Sequence, residues 1–508
     1  MNNKTNLFYV LVLSIVSILP CTADDGVTAG LFKIVPKLYR SSLLDVAINR
    51  DTMIDCMMDT LRVPSVFYVD GKRYEVDGIA TWGFSNCGFF KHLVIDEGIT
   101  TIGAEAFMGC SDMVSVYLPS SMADFGSGAF SHCPKLKEIT VDAGNPYYDS
   151  RENCNAVIET VENSIVVGCP GTVIPRSVNK IGDNAFKGCA GLQSLQVPSW
   201  VESIGDKSFS GCSSLKIVKF SPTDKIDVGL DAFSGCPSLT TVYVSASFFN
   251  FCCCNPFSYC ENLSKFVVDH SCNNLYTDKE GSVLMHKDDD ILIAASRNAS
   301  IPRGTKEIFS KAFAGCRRLT KVYVPSSVTR VSSDAFMGCR NLVSLVVDKK
   351  NKTYDSRGGC NCIVETKTNK IVCGSSMAVI PEDVETIGDF AFCGMDLPDN
   401  LYLPSQIRYV GRNAFAYCND LENLTIASAR LGSNAFFCCR NLTNVTFEEG
   451  CDMSLRDVCP LERSPFGFCS NLSSIRIHGV NMPVLRKGTY VNPPKQLVEE
   501  YERIWQRM

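Results

Sequence analysis

Thirteen times along the chain a phenylalanine stands three residues before a column held by cysteine in twelve units and by methionine in one. The phenylalanines are Phe84, Phe107, Phe130, Phe186, Phe209, Phe233, Phe257, Phe313, Phe336, Phe392, Phe415, Phe436 and Phe466. The column is Cys87, Cys110, Cys133, Cys189, Cys212, Cys236, Cys260, Cys316, Cys339, Met395, Cys418, Cys439 and Cys469. An apolar residue and a period-two alternation follow it, as at Leu239, Val242 and Val244, commonly closed by proline as in Leu118-Pro119 and Val324-Pro325. Such an alternation encodes one short strand. A 23- or 24-residue unit with one strand cannot enclose a core, so units must stack, each burying its phenylalanine and aliphatic residues against the next. The expected fold is a repeat solenoid with a parallel β-sheet on one face, short β or irregular segments on the other, and terminal caps. Phe107, Phe130, Phe186, Phe209, Phe233, Phe313, Phe336, Phe392, Phe415 and Phe436 would form its spine.

Three intervals are 56 residues long, one repeat plus 33. Before each, the strand ends in Val-Asp instead of proline: Val141-Asp142, Val268-Asp269 and Val347-Asp348. Each insert rejoins the pattern at Ile174-Pro175, Ile301-Pro302 or Ile380-Pro381. The first and third are close copies, Tyr148-Asp149-Ser150-Arg151 matching Tyr354-Asp355-Ser356-Arg357. Two short β-rich runs around a polar turn predict a hairpin-like extra coil in each. The unit around Phe392 carries Met395 and Pro398 in place of cysteine and leucine, and the last two intervals are 21 and 30 residues, which predicts local bending or the end of the array.

Cysteine is small, readily buried and a weak donor, so inward thiols suit a tight bend whose carbonyls need partners. Cys110, Cys133, Cys189, Cys212, Cys236, Cys260, Cys316, Cys339, Cys418 and Cys439 are therefore expected to form a structural ladder. A chain of disulfides is the alternative, but side chains leaving stacked coils in one direction poorly fit an S–S torsion of about 90°. Pairing stays open for Cys154 with Cys169, and for Cys360 or Cys362 with Cys373. Cys252-Cys253-Cys254 and Cys438-Cys439 lack C-x-x-C spacing and a neighbouring histidine, so no metal is expected.

Lys4 and the apolar run over residues 7–19, followed by Cys21-Thr22-Ala23, predict a cleaved signal peptide over 1–23 and hence a secreted or cell-surface protein. A buried N-terminal helix, or acylation of Cys21, is the alternative. No later stretch is apolar for long enough to span a bilayer. With 45% hydrophobic and 20% charged residues the chain can bury a core, and its net charge of −5 gives no reason to bind nucleic acid.

The pattern carried by Ile181-Gly182, Ala185-Phe186 and Gly188-Cys189, and again by Ile204-Gly205, Phe209 and Gly211-Cys212, resembles the BspA-like leucine-rich repeat family. Similarity runs from about Gly78 to Ile477, and the Tyr-Asp-Ser-Arg inserts resemble a recurrent module of bacterial members. Residues 67–76 are similar to the hairpin that opens such arrays, with Asp70-Gly71 as the turn. Tyr490, Val491, Tyr501 and Trp505 are similar to the family's closing segment, an amphipathic helix over 497–505. The resemblance implies a cap with hairpin over 24–77, leucine-rich repeats over 78–478 with inserts at about 143–175, 270–302 and 349–381, and a helical cap over 479–508. It also implies an exported protein with roles in adhesion to host proteins or other microbes.

The strand position seven residues after the column should face outward. Four of its occupants are tyrosines, Tyr117, Tyr243, Tyr323 and Tyr402, candidates for protein binding because tyrosine joins a large contact area to a polar tip. Exposed-strand propensity alone also accounts for them. The partner class expected is a protein ligand of the host extracellular matrix or cell surface. No catalytic residue, metal or cofactor is expected: His92, His132, His270, His286 and His478 are dispersed, and no Gly-x-Ser-x-Gly elbow or phosphate loop occurs. The alternatives are a structural surface spacer without a ligand and a carbohydrate-active hydrolase. Asn-x-Ser/Thr triplets include those that begin at Asn298, Asn351, Asn423, Asn441, Asn444 and Asn471.

Overall fold

A computed structural model describes residues 27–29, 31–37, 40–49, 58–245, 249–251, 254–448, 465–477 and 480–482. The expected signal peptide and closing helix, together with Cys21, Cys252, Cys253 and His478, lie outside the described residues. Two compact units are present, residues 1–161 with 166–173, and residues 162–165 with 174–508.

In the first unit the strands Met58–Val63, Phe90–Ile95, Ser115–Leu118 and Glu138–Val141 run parallel in one face sheet. Leu61, Leu93, Val116 and Ile139 lie in register across it and all are buried. The face sheet thus begins inside 24–77, where Leu61 and Val63 already alternate inward. A second sheet pairs Gly78–Ile79, Thr101–Ile102 and Asp124–Phe125, extended by the antiparallel strands Val27–Ala29, Phe32–Lys37 and Arg40–Ile48. Asp70 and Gly71, at φ 50° and 76°, turn Val66–Val69 back into Lys72–Glu75. Those signs suit the right-handed twist of a two-residue hairpin.

The second unit has parallel face strands of its own in three blocks. Ser194–Val197, Ile217–Phe220, Thr241–Val244 and Lys265–Val268 form the first, and Lys321–Val324 with Ser344–Val347 the second. Asn400–Leu403, Asn423–Ile426, Asn444–Phe447 and Ser474–Ile477 form the third, which the antiparallel strand Val480–Met482 closes. An insert lies at each break. In the third, Tyr354–Asp355, Cys362–Glu365 and Lys370–Gly374 are antiparallel, and the last then pairs in parallel with Thr386–Ile387 on the opposite side. The second insert repeats this with Leu275–Thr277, Val283–His286, Ile291–Ala295 and Glu307–Ile308. The turn side stays continuous. Tyr259 N donates to Ala314 O and Gly338 N to Cys393 O, both at 2.8 Å, across the second and third inserts.

The Val-Asp and Tyr-Asp-Ser-Arg phrases make the junction. Asn351 donates its amide hydrogens to Pro325 O and Val328 O, at 3.0 and 2.8 Å, and accepts from the backbone of Thr353 and Tyr354. Ser356 Oγ then accepts from Val347 N at 3.0 Å, supplying an acceptor to the strand on which the face sheet stops. In the first unit Asn145 and Ser150 repeat both arrangements, on Pro119, Met122, Tyr147, Tyr148 and Val141. A buried backbone group left without a partner is costly, so at these two breaks a polar side chain helps the sheet to end.

The spine residues pack as stacked rings. Centroids lie 5.2 and 5.3 Å apart along Phe84, Phe107 and Phe130, and 4.8 Å apart for Phe186 and Phe209. Phe313 and Phe336 stack at 4.9 Å, and Phe392, Phe415 and Phe436 at 5.0 Å. The separation follows the strand spacing of the coils, about 4.8 Å. Two residues after each of the thirteen phenylalanines the backbone turns left-handed, at glycine in seven coils (Gly211, φ 73°), and at Asn86, His132, Tyr259, Tyr417, Cys438 and Phe468 in the others.

The thiols of the column are buried beneath these turns. Sγ of Cys110 and Cys133 donates to the carbonyl of the preceding coil's phenylalanine, Phe84 and Phe107, at 3.3 and 3.2 Å. Cys212, Cys236, Cys260, Cys339, Cys418 and Cys439 do the same at 3.1–3.2 Å. Cys316 follows the second insert and reaches Ala295 O instead, at 3.8 Å. Cys189 is buried. The insert cysteines Cys154, Cys169, Cys360, Cys362 and Cys373 form no disulfide. Cys362 stands opposite Gly374 and Cys373 opposite Ile363, so their thiols leave the hairpin by opposite faces.

Candidate binding face

The face strands alternate outward and inward side chains, as in the exposed-buried alternation of Lys321–Val324. The column-plus-seven position is an outward one. Tyr323 and Tyr402 are exposed there, and Tyr117, in the first unit, is exposed at 38%. Tyr243 is half-buried, with the Lys219 ammonium 5.2 Å from its ring centroid.

Three of the four phenols are tied to acids. Tyr117 donates to Asp142 Oδ2 at 2.6 Å, and Tyr323 bonds Asp348 in the same way. Both acids are the last word of a Val-Asp phrase, 25 residues beyond the tyrosine. Tyr402 reaches across a coil to Glu448 Oε2 at 3.4 Å. The bond from Tyr117, helped by Gly144 N, holds the Asp142 carboxyl below the usual range, and Asp142 in turn pushes the phenol up. At Asp348 the Lys350 amide is the larger cause and the Tyr323 phenol the second. Charge-assisted bonds of this kind fix side-chain geometry. The polar tips of these rings are already engaged.

The inserts add to this face in a way that the strand pattern alone does not reveal. Thr386 and Ile387 pair with Tyr409 and Val410, a 23-residue offset that makes Val379 the counterpart of Tyr402 and Met377 the counterpart of Asn400. Ser376 N donates to Leu342 O at 2.8 Å, which lays this insert segment beside the start of Ser344–Val347. Tyr323 and Val346 are register partners. Tyr323 and Val346 on paired strands, Val379 in the insert segment, whose N–H donates to Cys360 O at 3.0 Å, and Tyr402 on the next block of strands are exposed by 55, 42, 67 and 53%. The sequence signal for Val379 is its place one residue before Ile380-Pro381, where the repeat resumes.

The described residues contain no group of three His, Cys, Asp or Glu side chains placed to hold a metal ion. His92 Nδ1 lies 2.8 Å from Ser115 Oγ, and His286 faces Asp289 at 3.7 Å. No helix among the described residues is long and apolar enough to cross a membrane.

A parallel face strand in each regular coil, an inward aliphatic and phenylalanine core and a thiol-bonded turn define a leucine-rich repeat solenoid. The BspA type leucine rich repeat region model matches residues 74–156, 169–279, 295–372 and 371–490, in six copies and over more than half of the sequence, and the chain belongs to this family. Among solved structures it is similar to a leucine rich cell surface protein from Faecalibacterium prausnitzii, with 20% identity, 90% of this chain and 95% of that one covered, and a TM-score of 0.39. The pneumococcal vaccine antigen PcpA is 17% identical over 89% of this chain and 93% of its own, with a TM-score of 0.37. A leucine-rich repeat protein from Bacteroides ovatus is 20% identical over 89% and 99%, with a TM-score of 0.33. No curated protein matches the chain.

Proposed function

We propose that the chain is an exported, non-enzymatic scaffold that binds a protein of the host extracellular matrix or cell surface through its face tyrosines, Tyr117, Tyr243, Tyr323 and Tyr402. The observation that carries this is the fixing of exposed rings: Tyr117, Tyr323 and Tyr402 stand on strands whose alternate residues are locked in the core, and each phenol is bonded to an acid. Aromatic side chains already held in place lose little entropy on binding and serve as anchors of protein interfaces. Membership of a repeat family built to present a surface supports the same reading.

The test is saturable binding of the purified chain to immobilised matrix proteins, repeated with all four tyrosines changed to serine. Binding should weaken by at least about tenfold, since truncated anchors commonly cost 1–2 kcal/mol or more each. Unchanged binding by a variant with unchanged thermal unfolding would defeat the proposal. Absence of any saturable binding would favour a passive spacer.

A further inference from the structure

Residues 303–352 carry eleven Lys and Arg against three Asp and Glu, a local net charge of +8 in a chain of net −5. Five of the cations are paired: Lys306 with Asp290, Lys311 with Asp231, Arg317 with Glu261, Arg330 with Glu307 and Arg340 with Asp396. The other six, Arg303, Arg318, Lys321, Lys349, Lys350 and Lys352, are exposed and form no salt bridge among the described residues. Their positions are not scattered. Lys321 shares the outward side of its strand with Tyr323, and Arg318 lies just before it. Lys349 and Lys350 follow the strand that presents Val346, and Arg303 acts electrostatically on both Tyr323 and Asp348. The cations therefore border both ends of the strands that present Tyr323 and Val346.

Exposed apolar side chains accompany that rim: Val346 is the register partner of Tyr323, and Met377 and Val379 lie in the insert segment that Ser376 N joins to Leu342 O. Contiguous exposed apolar surface with a polar rim marks an interaction site. Exposed cations at the rim select an anionic partner and steer its approach. A sulfated glycan or a nucleic acid would satisfy the cations but bring no apolar side chains to Val346, Met377 and Val379. We propose that this part of the second unit's sheet face docks an acidic polypeptide segment that carries apolar residues among its carboxylates. It rests on the proposed protein-binding role, and names the place and the chemistry of the partner.

The probe is a fluorescein-labelled synthetic peptide alternating glutamate with leucine and tyrosine, followed by anisotropy with the full chain. Its lysine-for-glutamate counterpart and heparin are the comparisons. The acidic peptide should bind saturably and weaken with added salt, and the counterpart should not bind. Lys349→Glu with Lys350→Glu should weaken it about tenfold or more, and so should Met377→Ser with Val379→Ser. All four positions are exposed, so thermal unfolding should not move.

Failure of the acidic peptide to bind, or equal binding of both peptides, overturns the inference. So does heparin binding that the lysine reversal abolishes while Met377→Ser with Val379→Ser leaves every affinity unchanged, which would make the site a glycan site. Self-association in sedimentation that the lysine reversal abolishes would make a second copy the occupant, and also overturns it. Matrix binding that survives the lysine reversal but is lost with the four tyrosine substitutions sinks this inference alone and leaves the proposed function standing.

Discussion

Cys418 shows what the column contributes. Its thiol is buried and donates to Phe392 O, while Phe415 stacks between Phe392 and Phe436. Removing the donor takes one of two hydrogen bonds from Phe392 O, the other coming from Met395 N at 3.1 Å, so Cys418→Ala should cost about 1 kcal/mol in urea unfolding. Phe415→Ala, which opens a cavity in the spine, should cost about 3–5 kcal/mol. Burial also pushes the Cys418 thiol from an ordinary 9.0 up to about 12, and does the same to Cys316 and Cys373. A raised folded value means that the unfolded chain loses its proton first. The stability these thiols provide is therefore complete below pH 9 and lost as pH rises through about 12, at roughly 1.4 kcal/mol per pH unit for each thiol. Urea midpoints measured across that window should fall less steeply for Cys418→Ala than for the parent chain. The phenylalanine and cysteine positions were legible because a fixed spacing exposes them. The acids that hold Tyr117 and Tyr323 were not, since each lies one coil and two residues away and only stacking brings it near.

The inserts carry the second lesson, at the scale of elements. Their repetition, their length and their hairpin runs are visible in the sequence, and the antiparallel strands Cys362–Glu365 and Lys370–Gly374 occupy that part of the third insert. Their effect on the sheet is not visible there. It depends on hydrogen bonds across about one insert and one coil, such as Gly338 N to Cys393 O, and on side chains that stand in for a missing strand. Asn351 is the clearest case. As a triplet with Lys352 and Thr353 it reads as a glycosylation acceptor, but both its amide hydrogens are committed to Pro325 O and Val328 O. Asn351→Ala should destabilise the chain by about 1–3 kcal/mol, and Ser356→Ala by about 1 kcal/mol, each read from the thermal or urea transition. Mass spectrometry of the folded chain made in a glycosylating host should find Asn351 unmodified. A glycan there would mean that the junction opens.

At the scale of the molecule, the division of labour between sides of the coil is the central physical claim. The core columns fill the inside, the turns are knit by thiols and backbone, and the face sheet is left to present side chains. Fold class was readable from periodicity because each unit must bury its apolar columns on a neighbour. The binding face was readable only in part. Tyr323 and Tyr402 follow from strand alternation, whereas Val379 and Met377 are exposed on an insert segment that the alternation does not reach. Hydroxyl-radical footprinting of the chain, free and bound to its partner, tests the claim most directly. Tyr323 and Tyr402 should be protected from oxidation in the complex, while Tyr409 on the second sheet and Tyr417 on the turn side, both exposed, keep their reactivity. Protection of Tyr409 and Tyr417 with Tyr323 and Tyr402 still reactive would contradict it.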